Sequence, residues 1–315
     1  SPGGTEWVPA NSGLDNRQVM LLSLAPDGRL FAGTFGGGLY RWVEQDDTWK
    51  RIDLGFSSAV VQSMAYGGDG EIFIGTFRHG VVSSKDGGHT WRPRGQGIDR
   101  ESVQSLAITE DGSLLAGLYE KGMFQLERQH EDWQEKIFAY ATKVDQVELT
   151  PQGSWYAASE GLPGVFKSSD EGRTWSKTAL PIPESATVIF TTEGENLIVG
   201  TRMAGPYISS DGGENWRLIR EGLPVVREGE LKGIRQLEKS GDGRVYALAA
   251  GGQGIFRLGR QMSWEKVETE DEQCNRFLDS GSVMISGFMF YPEANMVFWD
   301  ANTTAVIRDN FSSWQ

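Results

Sequence analysis

The residues of this chain whose types and spacing invite a chemical reading recur as a group. Ser84 to Trp91 reads Ser-Lys-Asp-Gly-Gly-His-Thr-Trp; the pattern returns with Ser168, Asp170, Gly172, Thr174 and Trp175, and again with Ser209, Asp211, Gly213, Asn215 and Trp216. A repeated Asp invites a metal or catalytic reading. A carboxylate two residues after a Ser and followed by Gly is instead well placed to accept the N–H groups of its own turn, while Gly supplies positive φ. Ser84, Asp86 and Gly88, with their counterparts, are therefore read as turn-holders, and Trp91, Trp175 and Trp216 as the apolar start of the next strand. Other reactive residue types give no site. His79, His89 and His130 lack metal-ligand spacing. Cys274 is the only cysteine and reads as a buried, inert thiol. Gly36-Gly37-Gly38 has neither a following helix nor a Lys-Ser/Thr pair, so it is no phosphate loop. Neither metal nor cofactor is expected.

The elements that carry these turns are set by a ruler of tryptophans. Trp7, Trp49, Trp91, Trp133, Trp175, Trp216, Trp264 and Trp314 are separated by steps of 42, 42, 42, 42, 41, 48 and 50 residues. Gly38, Gly80, Gly122 and Gly164 share the period and are followed by Gly205 and Gly254. Each interval holds four short β-like runs, here termed A to D, which is the content of a propeller blade. In the third repeat Val103 to Ile108 is A, Leu114 to Leu118 is B, Met123 to Leu126 is C, and Trp133 opens D. The pattern predicts an all-β, seven-bladed β-propeller of four-stranded antiparallel blades, a single domain over residues 1–315. Innermost strands are expected near Val19, Val60, Val103, Val144, Val188, Ile234 and Asn275. The last repeat, about 274–315, has no room for a strand D, so residues 6–10 are expected to complete it and close the ring. At the Asp position, repeats one, three, six and seven carry Glu44, Arg128, Gly259 and Asp309.

Thirty Lys and Arg stand against forty-three Asp and Glu, a net charge of −13, which argues against nucleic acid or an anionic membrane as main partner. No apolar run is long enough to span a bilayer; Val283 to Trp299 is broken by Pro292, Glu293 and Asn295. The opening Ser1-Pro2-Gly3-Gly4 resembles that of a trimmed mature chain, so a secreted or periplasmic, monomeric protein is expected.

In such a ring the B-to-C and D-to-A turns gather at one mouth of the channel. They bring Phe35, Arg78, His79, Tyr119, Glu120, Lys121, Glu160, Arg202, Met203 and Gln253 from the former and Arg17, Arg100, Arg227 and Glu228 from the latter. Mixed charge with aromatic residues suits a protein or glycan ligand. Two lengthened segments are expected on the same face: Glu221 to Gly233, and Phe288 to Asn302 with Phe288, Phe290, Tyr291, Phe298 and Trp299 as an aromatic loop. Partner binding is placed at Phe288, Phe290, Tyr291, Trp299, Arg227 and Glu228.

The Ser-x-Asp-x-Gly-x-Thr-Trp turns resemble the Asp-box, or BNR repeat. In size and repeat style the chain is similar to the photosystem II stability/assembly factor family, and more distantly to the sialidase-like superfamily. The first resemblance implies a non-catalytic binding or assembly scaffold, with the Asp-boxes peripheral between strands C and D. That family's Arg-rich patch has no counterpart in this acidic chain. The sialidase resemblance implies an alternative, a glycan-processing enzyme in which Arg78, Tyr119, Glu120 and Arg202 imitate part of the arginine and Tyr-Glu site. The Phe/Tyr-Arg-Ile-Pro motif is missing; Arg29-Leu30-Phe31 is the nearest string. For a paired-carboxylate mechanism, as in the related xyloglucanases, Glu120 and Glu160 are the nominees.

Overall fold

The computed structural model describes residues 7–16, 18–57, 59–136, 143–159, 164–181, 186–191, 196–227, 230–231, 233–240, 243–250, 253–267, 285–291, 295–300 and 304–307. Strand B explains the architecture best. Leu30–Thr34, Ile72–Thr76, Leu114–Leu118, Leu197–Thr201 and Val245–Ala249 are buried at every position. A strand buried on both faces must be covered on both sides, and here each sheet is sandwiched between its neighbours. The core is correspondingly interblade: Phe31, Leu39, Val61, Ile72 and Ile74 form one cluster, and Phe73, Val81, Val103, Leu114 and Trp133 the next.

Six blades are each made of four consecutive antiparallel strands. Blade I is Val19–Leu24, Leu30–Thr34, Gly38–Val43 and Thr48–Ile52. Blade II is Val61–Tyr66, Ile72–Thr76, Val81–Ser84 and Arg92–Pro93. Blade III is Val103–Ile108, Leu114–Leu118, Gly122–Leu126 and Gln134–Lys136. Blade IV is Gln146–Leu149, Trp155–Ala158, Val165–Ser168 and Ser176–Lys177. Blade V is Ala186–Thr191, Leu197–Thr201, Tyr207–Ser209 and Arg217–Leu218. Blade VI is Ile234–Lys239, Val245–Ala249, Ile255–Leu258 and Trp264–Lys266.

The expectation of seven blades is corrected to six blades of one repeat each. The remaining four-stranded sheet is composite: Ile285–Tyr291, Asn295–Asp300 and Thr304–Ile307 take Trp7–Pro9 as their outer strand. Trp7 is paired with Ile307, Val8 with Val306 and Pro9 with Ala305. Ile285–Tyr291 lies against the innermost strands of both blade VI and blade I, so the sheets follow one another around a closed ring.

A second correction concerns the aromatic segment. Phe288, Phe290 and Tyr291 belong to strand A of the composite sheet and Phe298 and Trp299 to its strand B, not to a loop on the mouth face. Strand A therefore starts at Ile285 rather than near Asn275, which lies outside the described residues together with Cys274. A longer Trp-to-Trp step shows that residues have been added to a repeat but not where. They fall in the D-to-A connection, whereas the aromatic, β-branched-rich run has the propensity of paired strands. The other lengthened connection does stand out, as a hairpin of Val225–Arg227 and Glu230–Leu231.

Close approach of neighbouring blades fixes one glycine column. A Cβ on Gly75 would come within 2.2 Å of Ser63 Oγ and 2.7 Å of Val103, and Gly33, Gly117 and Gly200 meet Val61, Val144 and Ile234 at the same place.

Candidate binding face

The B-to-C turns are built by a repeated device. The hydroxyls of Thr34, Thr76 and Thr201 donate to the carbonyls of Gly38, Gly80 and Gly205 at 3.0, 2.9 and 2.8 Å. Those glycines sit at φ 87°, 61° and 91°, a region a side chain would strain. The residue after strand B is then pinned to the D-to-A connection entering its own blade: the N–H groups of Phe35, Phe77 and Tyr119 donate to the carbonyls of Gln18, Val60 and Ser102, each at 2.9 Å. Rigid backbone with outward side chains is the result. Phe35, Phe77 and Tyr119 are 52%, 40% and 47% exposed on three consecutive blades. Met203, in the B-to-C turn of blade V, and Val225, in the hairpin that follows that blade, are exposed as well.

Cations surround the ring. The Arg78 guanidinium lies 5.0 Å from the Phe77 ring centroid, and Lys143 Nζ is 5.6 Å from that of Tyr119. His79 stacks on Phe56 at 4.5 Å, and Lys121 bonds Glu101 at 2.7 Å, which pulls the Lys121 amine upward from its ordinary value. Arg78 is itself at φ 65°, a left-handed conformation unusual outside glycine.

Of the alternative catalytic set, Arg78, Tyr119 and Glu120 stand on neighbouring turns of blades II and III, and Arg202 stands two blades further on. Among the described residues Tyr119 and Glu120 share no hydrogen bond, and Glu160 lies outside them. Arg227 is in the hairpin, and Glu228 lies outside the described residues. His89 falls within an Asp-box turn. His130 falls in the C-to-D turn of blade III, bonded to Glu127 at 2.8 Å.

The Asp-boxes hold their own turns. Ser84 Oγ donates to Asp86 Oδ1 at 2.7 Å and accepts the Gly88 N–H at 2.8 Å; Thr90 gives Asp86 both its N–H and its hydroxyl, at 2.9 and 2.6 Å. Asp170 repeats this with Ser168, Gly172 and Thr174, and Asp211 with Ser209, Gly213 and Asn215. The Thr90 hydroxyl and the other donors hold the Asp86 carboxyl well below the usual range. Asp170 and Asp211 are held at about 2, the former chiefly by the Thr174 hydroxyl and the latter by the Asn215 N–H. These turns join strands C and D, on the face opposite the B-to-C turns.

Two acids on the innermost strands escaped the sequence reading. Glu148 and Glu238 occupy a position held by Ser23, Ala65 and Ala107 in blades I to III, and the break in that column is the signal for them. Glu148 Oε1 accepts the Thr191 hydroxyl at 2.7 Å, and Glu238 Oε1 accepts Gln236 Nε2 at 2.7 Å. Burial pushes both carboxyls up, Glu238 to about 7 with the Glu148 charge adding to the effect.

Fold and turns together define a β-propeller with Asp-box turns. No protein-family model matches the chain, and no curated protein matches it. Solved structures do. The extracellular domain of the putative one component system BT4673 from B. thetaiotaomicron is similar at TM-score 0.75 and 11% identity over 96% of this chain, which spans 40% of that one. YCF48 bound to D1 peptide is similar at TM-score 0.70 and 14% identity, over 98% of this chain and 97% of that one. The GH74 xyloglucanase from Xanthomonas campestris gives TM-score 0.73 and 15% identity, over 98% and 54%. At these identities the likeness is one of fold. No helix among the described residues is long and apolar enough to cross a membrane.

Proposed function

We propose that residues 1–315 act as one secreted or periplasmic, monomeric binding scaffold that holds a protein or glycan partner on the face of B-to-C and D-to-A turns, without catalysis. The observation that carries this reading is the exposure of Phe35, Phe77 and Tyr119 at one equivalent, backbone-pinned position on three consecutive blades. Aromatic anchors on a rigid base lose little entropy when they are covered. Arg78, Arg202 and the hairpin carrying Arg227 supply the polar rim, whereas Phe288, Phe290, Tyr291, Phe298 and Trp299, as strand residues, are not assigned to it. That YCF48 was solved with a peptide, and that the BT4673 domain is extracellular, accords with this use and location.

The test is a peptide and glycan array screened with the chain and with the Phe35→Ala/Phe77→Ala/Tyr119→Ala variant. Ligands held at the mouth should lose at least ~10-fold in affinity. Asp86→Ala, on the opposite face, should bind normally. Equal binding by the triple variant would remove the mouth from consideration.

A further inference from the structure

On the opposite side of the molecule, the groove between blades II and III is open where the preceding groove is filled. Asp27-Gly28-Arg29, Asp69-Gly70-Glu71 and Asp111-Gly112-Ser113 are equivalent A-to-B turns, one per repeat. In blade I, Arg29 crosses to blade II and donates to the Gly87 carbonyl of its Asp-box at 2.6 Å. In blade II the equivalent residue is Glu71, which carries no guanidinium to cross the groove, and blade III has no Asp-box to receive one. A cavity of about 340 Å³ remains, with Gly67, Asp69, Glu71, Phe73 and Arg94 in its lining. It adjoins a second of about 560 Å³ that includes Lys85, Arg92, Gln96 and Asp99, and the two share Arg94 and Arg128. Both volumes are in the range of small-molecule sites, about 300–1,000 Å³.

The polar groups in this groove are incompletely paired. Glu71 is only 5% exposed; its Oε2 meets Lys85 Nζ at 3.5 Å, and its Oε1 has no hydrogen-bond partner among the described residues. A buried carboxylate oxygen left this way is costly and calls for a donor. The half-buried Arg94 and the exposed Arg92 make no side-chain ion pair among the described residues, and Arg128 reaches Asp69 only at 4.0 Å. Arg94 is held in place by its backbone, whose carbonyl accepts the Trp133 indole N–H at 2.7 Å. The first cavity offers Asp69, Glu71 and Glu110 as acceptors over a small apolar floor of Phe73 and Ile108. The second adds Arg92 to the shared Arg94 and Arg128, with Asp99 and Glu131 also in its lining.

We propose that this groove binds a short acidic oligosaccharide, its sugar carboxylate held by Arg92, Arg94 and Arg128 and its ring hydroxyls donating toward Glu71 and Asp69. Guanidinium donors next to carboxylate acceptors suit vicinal hydroxyls beside a carboxylate. An extended peptide is less well served, because the bordering edge strand is the two residues Arg92–Pro93, and Pro93 has no N–H to extend a ladder. The site is independent of the mouth face.

Isothermal titration with trigalacturonic acid, neutral cellotriose and a Glu-rich tripeptide tests the assignment. Trigalacturonic acid should bind, weaken as salt rises, and lose at least ~10-fold affinity in Arg94→Ala, with part of that regained in Arg94→Lys. Glu71→Gln should also weaken it, while Phe77→Ala leaves it unchanged. Unaltered melting temperatures for the two Arg94 variants would show that the fold is intact. Absence of binding by trigalacturonic acid, indifference to Arg94→Ala, sensitivity to Phe77→Ala, or equal binding of the tripeptide would each overturn the proposal.

Discussion

At the scale of the residue, one of the left-handed non-glycine positions of this chain lies where its partner is expected. Arg78 is the one non-glycine residue on the described mouth face with φ in the left-handed region, while its neighbour in blade I, Gly36, adopts φ 87° without strain. Arg78→Gly is expected to raise stability by up to about 1 kcal/mol, since the conformational strain is removed, and to weaken partner binding through loss of the cation over Phe77. Denaturant titration and the array measure the two effects separately. A loss of stability would show that the Arg78 side chain, not the strain, dominates there. Arg78 itself was visible in the sequence as a rim residue. Its conformation was not, because no local pattern marks a left-handed arginine.

At the scale of the element, the C-to-D turn comes in two forms, and Trp tells them apart. Where the Asp-box is kept, in blades II, IV and V, Trp91, Trp175 and Trp216 are half-buried, and in II and V the indole N–H groups return to the box, to the carbonyls of Gly88 and Gly213 at 3.1 and 3.0 Å. Where it has decayed, in blades I, III and VI, Trp49, Trp133 and Trp264 are buried. Their indoles reach across to Ala10, Arg94 and Ile219 in the connection leaving the preceding outer strand, each at 2.7 Å. The same tryptophans donate their backbone N–H groups to Ser12, Gln96 and Glu221. Loss of the Asp is therefore accompanied by an interblade bond that docks the outer strand. Trp264→Phe, which leaves the buried Ile219 carbonyl without its donor, should cost about 1–3 kcal/mol beyond the lost packing area. Trp91→Phe, whose part-buried bond to Gly88 stays within its own turn and docks no neighbouring strand, should cost less. Equal shifts in denaturation midpoint would refute this division of labour. The sequence displayed the decay of the Asp and the persistence of the Trp, yet the partner carbonyl lies about one repeat away and no spacing names it.

At the scale of the whole molecule, two groups of carboxylates pull stability in opposite directions with pH. Asp170 and Asp211, at about 2 in the fold against an ordinary 3.8, favour folding above pH about 4, and this contribution is lost as pH falls toward 2. Glu238, raised from 4.5 to about 7, acts the other way: between those values the folded state keeps a proton that the unfolded chain has released, so stability falls as pH rises. Glu148 adds in the same direction. The thermal midpoint is expected to peak near pH 4 to 5 and to decline toward 7.5. In Glu238→Gln the neutral limb should flatten, by roughly 1–3 kcal/mol at pH 7.5. A variant whose neutral limb matches that of the parent chain would show that mutual repulsion of the −13 net charge, not Glu238, governs the decline.

By itself the sequence determined the repeat, the four-stranded sheet and the Asp-box turns, because those depend on local chemistry: alternating burial, positive-φ glycine, and a carboxylate bonding its own turn. It also pointed to Trp7–Pro9 as the strand that pairs with Thr304–Ile307. Only the tertiary structure decided that six repeats make continuous blades beside one composite sheet, and that Phe288, Phe290, Tyr291, Phe298 and Trp299 are strand rather than loop residues. It alone set Phe35, Phe77 and Tyr119 in one arc, and it alone left Glu71 and Arg94 facing an open groove. Each of these depends on which neighbour lies across a blade boundary. That neighbour is about 42 residues away in the chain but in van der Waals contact in the fold.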